Sequence, residues 1–514
     1  MSLNRRTFLR GTGALLATAG AGCGPSEPSV DELVFALAST PTNLDPRFAQ
    51  DAFSDRIARL IFSTLSRKDA EGRLRPHLAE SIESPDPVTF VCRLRADARF
   101  HDGSPVVADD VVATFDSIRD PKTGSVRRLA LEPIASMSAT DSRTVTIRLH
   151  RPHAPFARSL AGIGIAPRAA LARRGVDFRD HLIGSGAFRF IEAVPDSHVL
   201  LARNDAWFGG RAGVARLRFR VVPDATVRTL EVLHGSVDLT QNDLPPHVIE
   251  RLRREPALRV DDAGSTLVKY LAFNLEHPHL RDRRVRLAIA HALDREPIIR
   301  HKLRGTATPA HSFLHPRHWA HAPDVRSPRH DPEAARRLLD DAGLGRSGGA
   351  PRLRLVYRTS TDATSVAIAR IFRRQLEAVG IEMELRTNEW GVFFSDIKQG
   401  LYDLFSLTAV GVDDPDWYAY VFDSRRMPPN GANRTFYSNP DVDRLIDSGR
   451  SRLDPADRAP LYRELQRITA HDLPLLPLWY RHNVVVRGRN VEGYAARPDG
   501  DFDSLTTARK TGLR

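Results

Sequence analysis

Short apolar runs and amphipathic segments alternate along most of the chain. Strand-like runs rich in aliphatic, β-branched and aromatic residues occur at 32–37 (ELVFAL), 144–149 (TVTIRL) and 353–358 (LRLVYR). In the segment 362–379, apolar residues recur at helical spacing, and Gly380 ends the helix before the strand-like run IEMEL. Strands and helices interspersed in this way predict an α/β fold.

The segment 331–342 (DPEAARRLLDDA) carries both start and stop signals of a helix. Asp331 is a suitable N-cap residue, and Pro332 fits the first turn, where no backbone N–H is needed. Glu333 stands beside the positive end of the helix dipole, and Gly343 follows the last turn. The pattern therefore predicts a helix with these limits.

The first 23 residues have the layout of a bacterial export signal. Residues 4–10 (NRRTFLR) contain a twin-arginine pair, and a short apolar stretch, 11–22, leads to Cys23 after three small residues. We expect export by the twin-arginine route, with lipidation of Cys23 and anchoring to the membrane. The alternative is an ordinary cleaved leader that releases the protein, and in both cases the protein leaves the cytoplasm.

The cysteine content, the charge and the length of the chain narrow the class of protein further. Lipidation of Cys23 leaves only Cys92, in the apolar run TFVCRL, so a disulfide framework and a thiolate metal cluster are both excluded. The formal net charge of +12 is spread along the chain, which argues against a nucleic-acid-binding stripe. A chain of 514 residues exceeds one ordinary core, so two or three lobes are expected. No later segment is long and uncharged enough to predict a transmembrane helix.

Several motifs, in a fixed order, are similar to those of bacterial extracellular solute-binding protein family 5, the oligopeptide-, dipeptide- and nickel-binding proteins of ABC transporters. The most specific is ARFHDGSPVVADDVVATFDSI, at 98–118. The resemblance extends over nearly the whole mature chain and is also carried by PTNLDP (41–46), the segment 61–83, GSGAFRF (184–190), FNLEHPHLRDRRVRLAIAHALDRE (273–296), YDLFSLTAVGVDDPD (402–416) and RELQRITAHDLPLLPLWY (463–480).

The resemblance implies an α/β, two-lobed periplasmic-binding-protein fold, type II-like and of cluster C, with an extra inserted domain. The corresponding limits are 24–44, 182–265 and 482–514 for lobe I, 45–181 for the inserted domain and 266–481 for lobe II. It also implies a monomer without cofactor or catalysis. Such a protein captures a peptide or similar small polar solute between its lobes and delivers it to ABC permease subunits that a cytoplasmic ATPase drives.

The resemblance also places ligand-binding residues. Peptide-binding relatives hold the ligand amine with an acid before a D-P-D segment, and here only Asp413, displaced by two positions, can take that role. An alternative for Asp413 and Asp414 is capping of the next helix. Arg358 falls where dipeptide-binding relatives place an arginine for the ligand carboxylate, and Trp390 falls at a cleft tryptophan, although packing in the core is an alternative. The cleft rim would include Ser39 and Thr40.

Two rival functions can be read from other patterns. A histidine cluster (His311, His315, His318 and His321) has spacings of four, three and three, which fit one face of a helix and a nickel or zinc site, but Pro316 interrupts such a helix. The motifs SxxK (395–398), YxN (437–439) and KTG (510–512) suggest a serine acyl-transfer hydrolase of the penicillin-interacting class. The last motif, however, lies too close to the end of the chain for that fold.

Overall fold

The structure is a computed structural model. It describes residues 31–49, 51–69, 72–172, 178, 181–345, 348–410, 412–428 and 431–512. The twin-arginine motif and Cys23 lie outside the described residues, so the predicted export and lipidation remain predictions.

The strands of the described residues form one large sheet, to which most of them belong, and three smaller sheets. The strands are β1 (Glu32–Leu37), β2 (Ser66–Lys68), β3 (Leu74–Pro76), β4 (Ala79–Asp86), β5 (Thr89–Leu94), β6 (Ile134–Ala139), β7 (Thr144–Leu149), β8 (Phe188–Val194), β9 (His198–Arg203), β10 (Arg216–Val221), β11 (Leu239–Gln241), β12 (Leu258–Phe273), β13 (Ala307–Pro309), β14 (Leu353–Ser360), β15 (Ile381–Asn388), β16 (Leu404–Ala409), β17 (Leu475–Gly488), β18 (Val491–Glu492) and β19 (Arg509–Lys510).

Helices pack against the large sheet and against a smaller four-stranded sheet. They are α1 (Ala52–Ile61), α2 (Ala108–Arg119), α3 (Arg128–Leu131), α4 (Phe156–Gly162), α5 (Arg168–Ala172), α6 (Ala225–His234), α7 (Pro246–Leu252), α8 (Arg283–Ala292), α9 (Arg295–Pro297), α10 (Pro332–Asp341), α11 (Ala363–Glu377), α12 (Trp390–Lys398), α13 (Trp417–Phe422), α14 (Pro440–Ser451) and α15 (Pro455–Asp472). Within the described ranges, no helix combines the length and apolar character that crossing a bilayer requires.

The large sheet has the order β15-β14-β16-β12-β17-β11-β1-β10-β9-β8, and β13 pairs with β17 beside this path. The long strands β12 and β17 pair along most of their length and divide the sheet into two halves. We call the half with β11, β1, β10, β9 and β8 the first lobe, and the half with β16, β14 and β15 the second lobe. The pairing register of β12 and β17 shifts between Gly264 and Val268, where the two strands pass from one lobe to the other.

Each lobe has a core on either face of its half of the large sheet, and a separate four-stranded sheet, β4-β5-β7-β6, has a core of its own. We call this sheet, with β2, β3 and the helices α2 to α4, the small-sheet unit. Its core includes Cys92, which is fully buried, as its apolar surroundings in the sequence indicate. Burial raises the pKa of the Cys92 thiol to about 12. The domain limits given above remain a prediction.

Elements with strong local signals lie where the sequence places them. The runs at 32–37 and 144–149 are β1 and β7 without any shift, and the run starting at 353 is β14. Asp331 and Asp362 cap α10 and α11 by accepting backbone N–H groups at 2.8 Å and 2.7 Å. The α/β class follows from local patterns because caps and strand composition act over a few residues.

The segment around Gly184 joins the small-sheet unit to helix α1. The N–H of Gly184 donates to Nδ1 of His101 at 3.2 Å, and Nε2 of His101 lies 3.2 Å from the carbonyl oxygen of Gly186. A Cβ atom on Gly184 would lie 2.0 Å from the carbonyl oxygen of Ile61. The backbone therefore leaves no room for a side chain at this position.

We expect Gly184→Ala to lower the free energy of unfolding by about 1–3 kcal/mol, because backbone atoms must move to accept the methyl group. Denaturant unfolding of the protein without its leader measures this. Gly349→Ala is the matched control, since a Cβ there meets nothing within 4 Å. Equal stability of the two variants would contradict the close contact seen at Gly184.

Candidate functional site

The candidate site lies where the carboxyl ends of the two sets of parallel strands face each other. In the first lobe β1, β10 and β11 run parallel, and in the second lobe β14, β15 and β16 do. Because β12 and β17 are antiparallel to each other and to the adjoining strands, the two sets run in opposite directions towards the crossing. In open α/β sheets, ligands bind outside the carboxyl ends of strands. The cleft between the lobes is therefore the candidate site.

Most residues predicted from the resemblance follow these carboxyl ends. Ser39 and Thr40 follow β1, Trp390 follows β15, and Asp413 follows β16. Arg358 lies near the end of β14. The topology thus brings together, at one cleft, positions that are more than 300 residues apart in the chain.

The floor of the cleft is marked by a break in the buried surface of β17. Arg481 is the one exposed residue of this strand, whose other residues are buried or half-buried. On the neighbouring strands, Lys269 of β12 and Thr408 of β16 are half-buried and form a register pair. A solvent-accessible opening therefore reaches three adjacent strands at the point where the lobes meet.

Lys269 and Arg481 form a cationic pair that the sequence analysis did not single out. Within the described part of the chain, neither side chain has an ion-pair or hydrogen-bond partner. Burial, followed by the charge of Arg481, lowers the pKa of Lys269 to about 8. Although Arg481 reaches solvent at the opening, the protein atoms around its guanidinium displace water and lower its pKa, against the opposing charges of Asp362 and Asp243. Each cation was detectable in the sequence only as a lone charge in an apolar run, LVKYLAF and LPLWYRH.

Asp243 lies just beyond the carboxyl end of β11, in the first lobe. Burial raises the pKa of its carboxyl group to about 6, although the charges of Arg228, Arg56 and Arg481 oppose this shift. One of its carboxyl oxygens is buried without a hydrogen-bond partner. Among these cations Arg228 acts on Asp243 most strongly, so Asp243 compensates Arg481 only in part.

Asp413 connects the second lobe to the small-sheet unit. Its carboxylate forms ion pairs with Lys68 of β2 and Arg158 of α4. Burial alone would raise the pKa of Asp413, but the charges of Arg158 and Lys68 outweigh it and hold the pKa below its usual value. Its charge is thus already compensated, which leaves little for the ligand amine that the resemblance assigns to it.

Asp414 has a different set of contacts. Its carboxylate pairs with Arg458 at 3.2 Å and accepts the N–H of Asp416 at 2.8 Å, just before α13 begins. The capping alternative is not what the structure shows, because Asp416 is the N-cap residue of α13 and no described side chain caps this helix. The side chain of Asp414 is largely buried, so this residue mainly orders the segment between β16 and α13.

Arg358 is likewise already paired. Its guanidinium donates to a carboxylate oxygen of Asp396, on α12, at 2.5 Å. The same oxygen accepts the side-chain amide of Asn388 at 3.0 Å. The proposed ligand carboxylate would therefore compete with Asp396 for Arg358.

Trp390, Ser39 and Thr40 differ in how much surface they offer. Trp390 is 54% exposed and stacks on Phe394 at 5.7 Å between ring centroids, so its free face is available to a ligand and it is not a core residue. Ser39 is exposed, whereas Oγ1 of Thr40 donates to Asp196 at 2.6 Å.

The four histidines each interact with a different group. His311 accepts from the N–H of Ser327, His315 from that of Arg317, and His318 from that of Ala320, while His321 lies 2.9 Å from the carbonyl oxygen of Leu314. No helix forms over 307–329. Among the residues that the structure describes, no group of three or more histidine, cysteine or acidic side chains is arranged to hold a metal ion.

The three hydrolase-like motifs are engaged separately. Ser395 of α12 accepts from Gln399, the residue after that helix, Tyr437 donates to Asp472, and Lys510 pairs with Asp238 at 3.0 Å. No described contact links the three motifs, so they do not form the joint site that acyl transfer requires.

Comparisons with known proteins agree with this architecture. Residues 73–427 match the model of the family described as bacterial extracellular solute-binding proteins, family 5 Middle. A putative ABC transporter peptide-binding protein of Brucella ovis is 31% identical over 436 residues, which are 82% of this chain and 81% of that protein. The glutathione-binding protein GsiB of Escherichia coli O1:K1 / APEC is 26% identical over 483 residues, covering 92% and 93% of the two chains.

A solved structure has the same fold. The oligopeptide-binding protein AppA from Bacillus subtilis, in complex with a nonapeptide, superimposes with a TM-score of 0.82 at 24% identity and covers 94% of this chain and 99% of AppA. At this identity the likeness concerns the fold alone. It confirms the predicted α/β, two-lobed binding-protein fold.

We expect Asp413→Asn to lower the free energy of unfolding at pH 7 by about 2–3 kcal/mol, because Lys68 and Arg158 lose their shared counter-charge. The folded-state pKa of Asp413 lies below its unfolded value of 3.8, so this stabilisation is present above that pH and is lost as the pH falls below it. Denaturant unfolding at pH 7 and at pH 3 measures both effects.

The matched control for this prediction is Asp205→Asn. Asp205 pairs with Arg203 at 2.7 Å, but its side chain is 66% exposed, so solvent screens the pair and the change should stay within about 0.5 kcal/mol. A deficit of Asp413→Asn that is no larger than that of the control, or that grows in acid, would contradict the assignment.

Proposed function

The chain belongs to the bacterial extracellular solute-binding proteins of family 5, and from this premise we propose that it captures peptides or similar small polar solutes for an ABC importer. The observation that carries the proposal is the opening at Arg481, where the carboxyl ends of both lobes face each other. A solute held there contacts both lobes at once, and no covalent step is needed.

Capture in such a cleft depends on the relative position of the lobes. The contacts of Asp413 with Lys68 and Arg158 join the second lobe to the small-sheet unit. The N–H of Ala154 also donates to the carbonyl oxygen of Arg450 at 2.8 Å across the same boundary. A ligand that binds the closed arrangement more tightly than an open one shifts the population towards it, and a permease can recognise that state.

Two relatives support the peptide-like class of solute. The Brucella ovis relative is named a putative peptide-binding protein, and the E. coli relative is named glutathione-binding. The exposed face of Trp390 suits a flat peptide group or side chain. Metal binding is the weaker candidate because the histidine cluster has no shared geometry among the described residues.

The proposal includes the cellular setting. We place the protein outside the cytoplasm after twin-arginine export, anchored to the membrane through Cys23, as a monomer that delivers solute to permease subunits driven by a cytoplasmic ATPase. It acts by binding and not as an enzyme, in keeping with the family and with the separation of the hydrolase-like motifs.

We expect short peptides to raise the Tm of the protein without its leader, because a ligand of the folded state stabilises it by RT ln(1 + [L]/Kd), about 2.7 kcal/mol at a hundredfold excess over Kd. The thermal-shift panel contains tri-alanine, glutathione, sugars, and NiCl2 or ZnCl2 with and without EDTA. A shift by metal alone that EDTA reverses would contradict the peptide assignment and favour the histidines. Hydrolysis of a bound peptide would contradict the non-enzymatic role.

Trp390 supplies a second measurement. It is the only exposed tryptophan, since the other four are buried or half-buried. We expect a bound peptide to cover the indole and shift its fluorescence to shorter wavelength, and Trp390→Phe to remove most of this change while keeping an aromatic wall. The control is Trp207→Phe, outside the cleft. A ligand-induced shift that survives in Trp390→Phe would place the solute elsewhere.

A further inference from the structure

The distribution of paired and unpaired charges in the cleft is uneven. The charged residues predicted to bind ligand, Arg358 and Asp413, already have counter-charges within the protein. Lys269 and Arg481, which no resemblance pointed to, have neither an ion-pair nor a hydrogen-bond partner among the described residues. Lys269 and Arg481 are therefore two unpaired charges available to a solute.

The position of the two cations is the floor of the cleft. Lys269 lies on β12 opposite Trp479 of β17, and Arg481 lies two residues further along β17, opposite Ala307 of β13. The charges of Asp362, at the start of α11, and of Asp243, after β11, both act on the pKa of Arg481. These two acids belong to different lobes. A group between the two cations would therefore sit where the lobes meet.

The local charge is positive in excess. Besides Lys269 and Arg481, Arg56 acts on Asp243 and stacks over Phe502 at 5.4 Å without an ion-pair partner among the described residues. On the acidic side there are Asp362, whose carboxylate is engaged as a helix cap, and Asp243, whose charge is shared with Arg228. Two near cations with so little compensation repel each other, and an anion between them removes that repulsion.

We infer that the floor of the cleft binds a carboxylate group of the solute between Lys269 and Arg481. This inference rests on the proposed function and specifies its substrate class, namely solutes with a free carboxylate. Arg481 presents a planar fork that can bond both carboxylate oxygens, and Lys269 adds a compact charge from the neighbouring strand. Arg358 keeps its bond to Asp396 and is not the residue that selects the carboxylate.

The test compares tri-alanine with tri-alanine amide, which differ in the terminal carboxylate alone, by titration calorimetry on the protein without its leader. We expect the amide to bind at least tenfold more weakly. Lys269→Met and Arg481→Gln, measured separately so that one suffices if the other does not fold, should each weaken tri-alanine at least tenfold and leave the amide nearly unchanged. Arg358→Gln should not change the ratio between the two ligands.

Matched controls are Lys122→Met and Arg254→Gln, which remove exposed cations far from the cleft and should leave both affinities unchanged. Equal binding of acid and amide, or an equal loss of both in the Lys269 and Arg481 variants, would overturn the carboxylate site while the peptide proposal stands. The second result would indicate instead that Arg481 serves closure of the lobes, through Asp362 or Asp243.

Succinate, which contains no peptide bond, separates this inference from the proposed function. If tri-alanine and glutathione fail to bind but succinate binds and loses affinity in Lys269→Met and Arg481→Gln, the carboxylate site stands and the peptide assignment is wrong. If none of the three binds, both are overturned.

The number of protons taken up when the peptide binds gives a further test of Lys269. A merely structural role of this lysine would not cause such uptake. The charged groups facing Lys269 are Arg481 on β17 and Asp362 at the start of α11. Because the lysine titrates near pH 8 in the empty protein, a carboxylate that favours its charged form should cause proton uptake when tri-alanine binds at pH 8. Calorimetry in buffers of different ionisation enthalpy measures this uptake, which Lys269→Met should abolish. Uptake unchanged in that variant would contradict the contact.

Discussion

The pairing of β12 with β17 holds the molecule together and at the same time creates its cleft. These are the only strands described that belong to both lobes, and they pair from Leu258 to Ala272 with two register shifts, between Gly264 and Val268 and between Lys269 and Tyr270. The two lobes are attached at different points along the paired strands. The carboxyl ends of their parallel strands therefore face each other instead of lying side by side. A change in the twist of these two strands would move one lobe against the other.

The small-sheet unit limits this movement from one side. It is attached to the first lobe by the contact of His101 with the segment around Gly184, and to the second lobe by the ion pairs of Asp413. The first contact is a close backbone approach that tolerates little change, whereas the second depends on charge and on water exclusion. The difference suggests a fixed attachment on one side and a reversible attachment on the other, as an opening cleft requires.

Local sequence signals were sufficient to predict several strands and helix caps. Whether the charged residues of the candidate site are ion-paired depends on distant parts of the chain, which local signals do not encode. β1, β7 and the caps of α10 and α11 follow from composition within a few residues. The partner of Asp413, Lys68, is 345 positions away, and the partner of Arg358 is 38 positions away. Motif resemblance located both residues at the cleft, yet it could not tell that their charges are compensated within the protein. Lys269 and Arg481 were not predicted as site residues, because a lone cation in an apolar strand forms no local sequence motif.

The compensated and uncompensated charges have different energetic consequences. An ion pair within the protein stabilises the empty state, and a ligand must break it before gaining from either partner. Two uncompensated cations do the opposite: their mutual repulsion destabilises the empty state, so an anionic solute gains the energy of contact and also the relief of repulsion. Burial is the larger cause of the lowered pKa of Lys269, and the charge of Arg481, the second cause, reflects this repulsion. A capture protein needs a bound state that is favoured over its empty state, and unpaired charge at the crossing of β12 and β17 provides it where both lobes are affected.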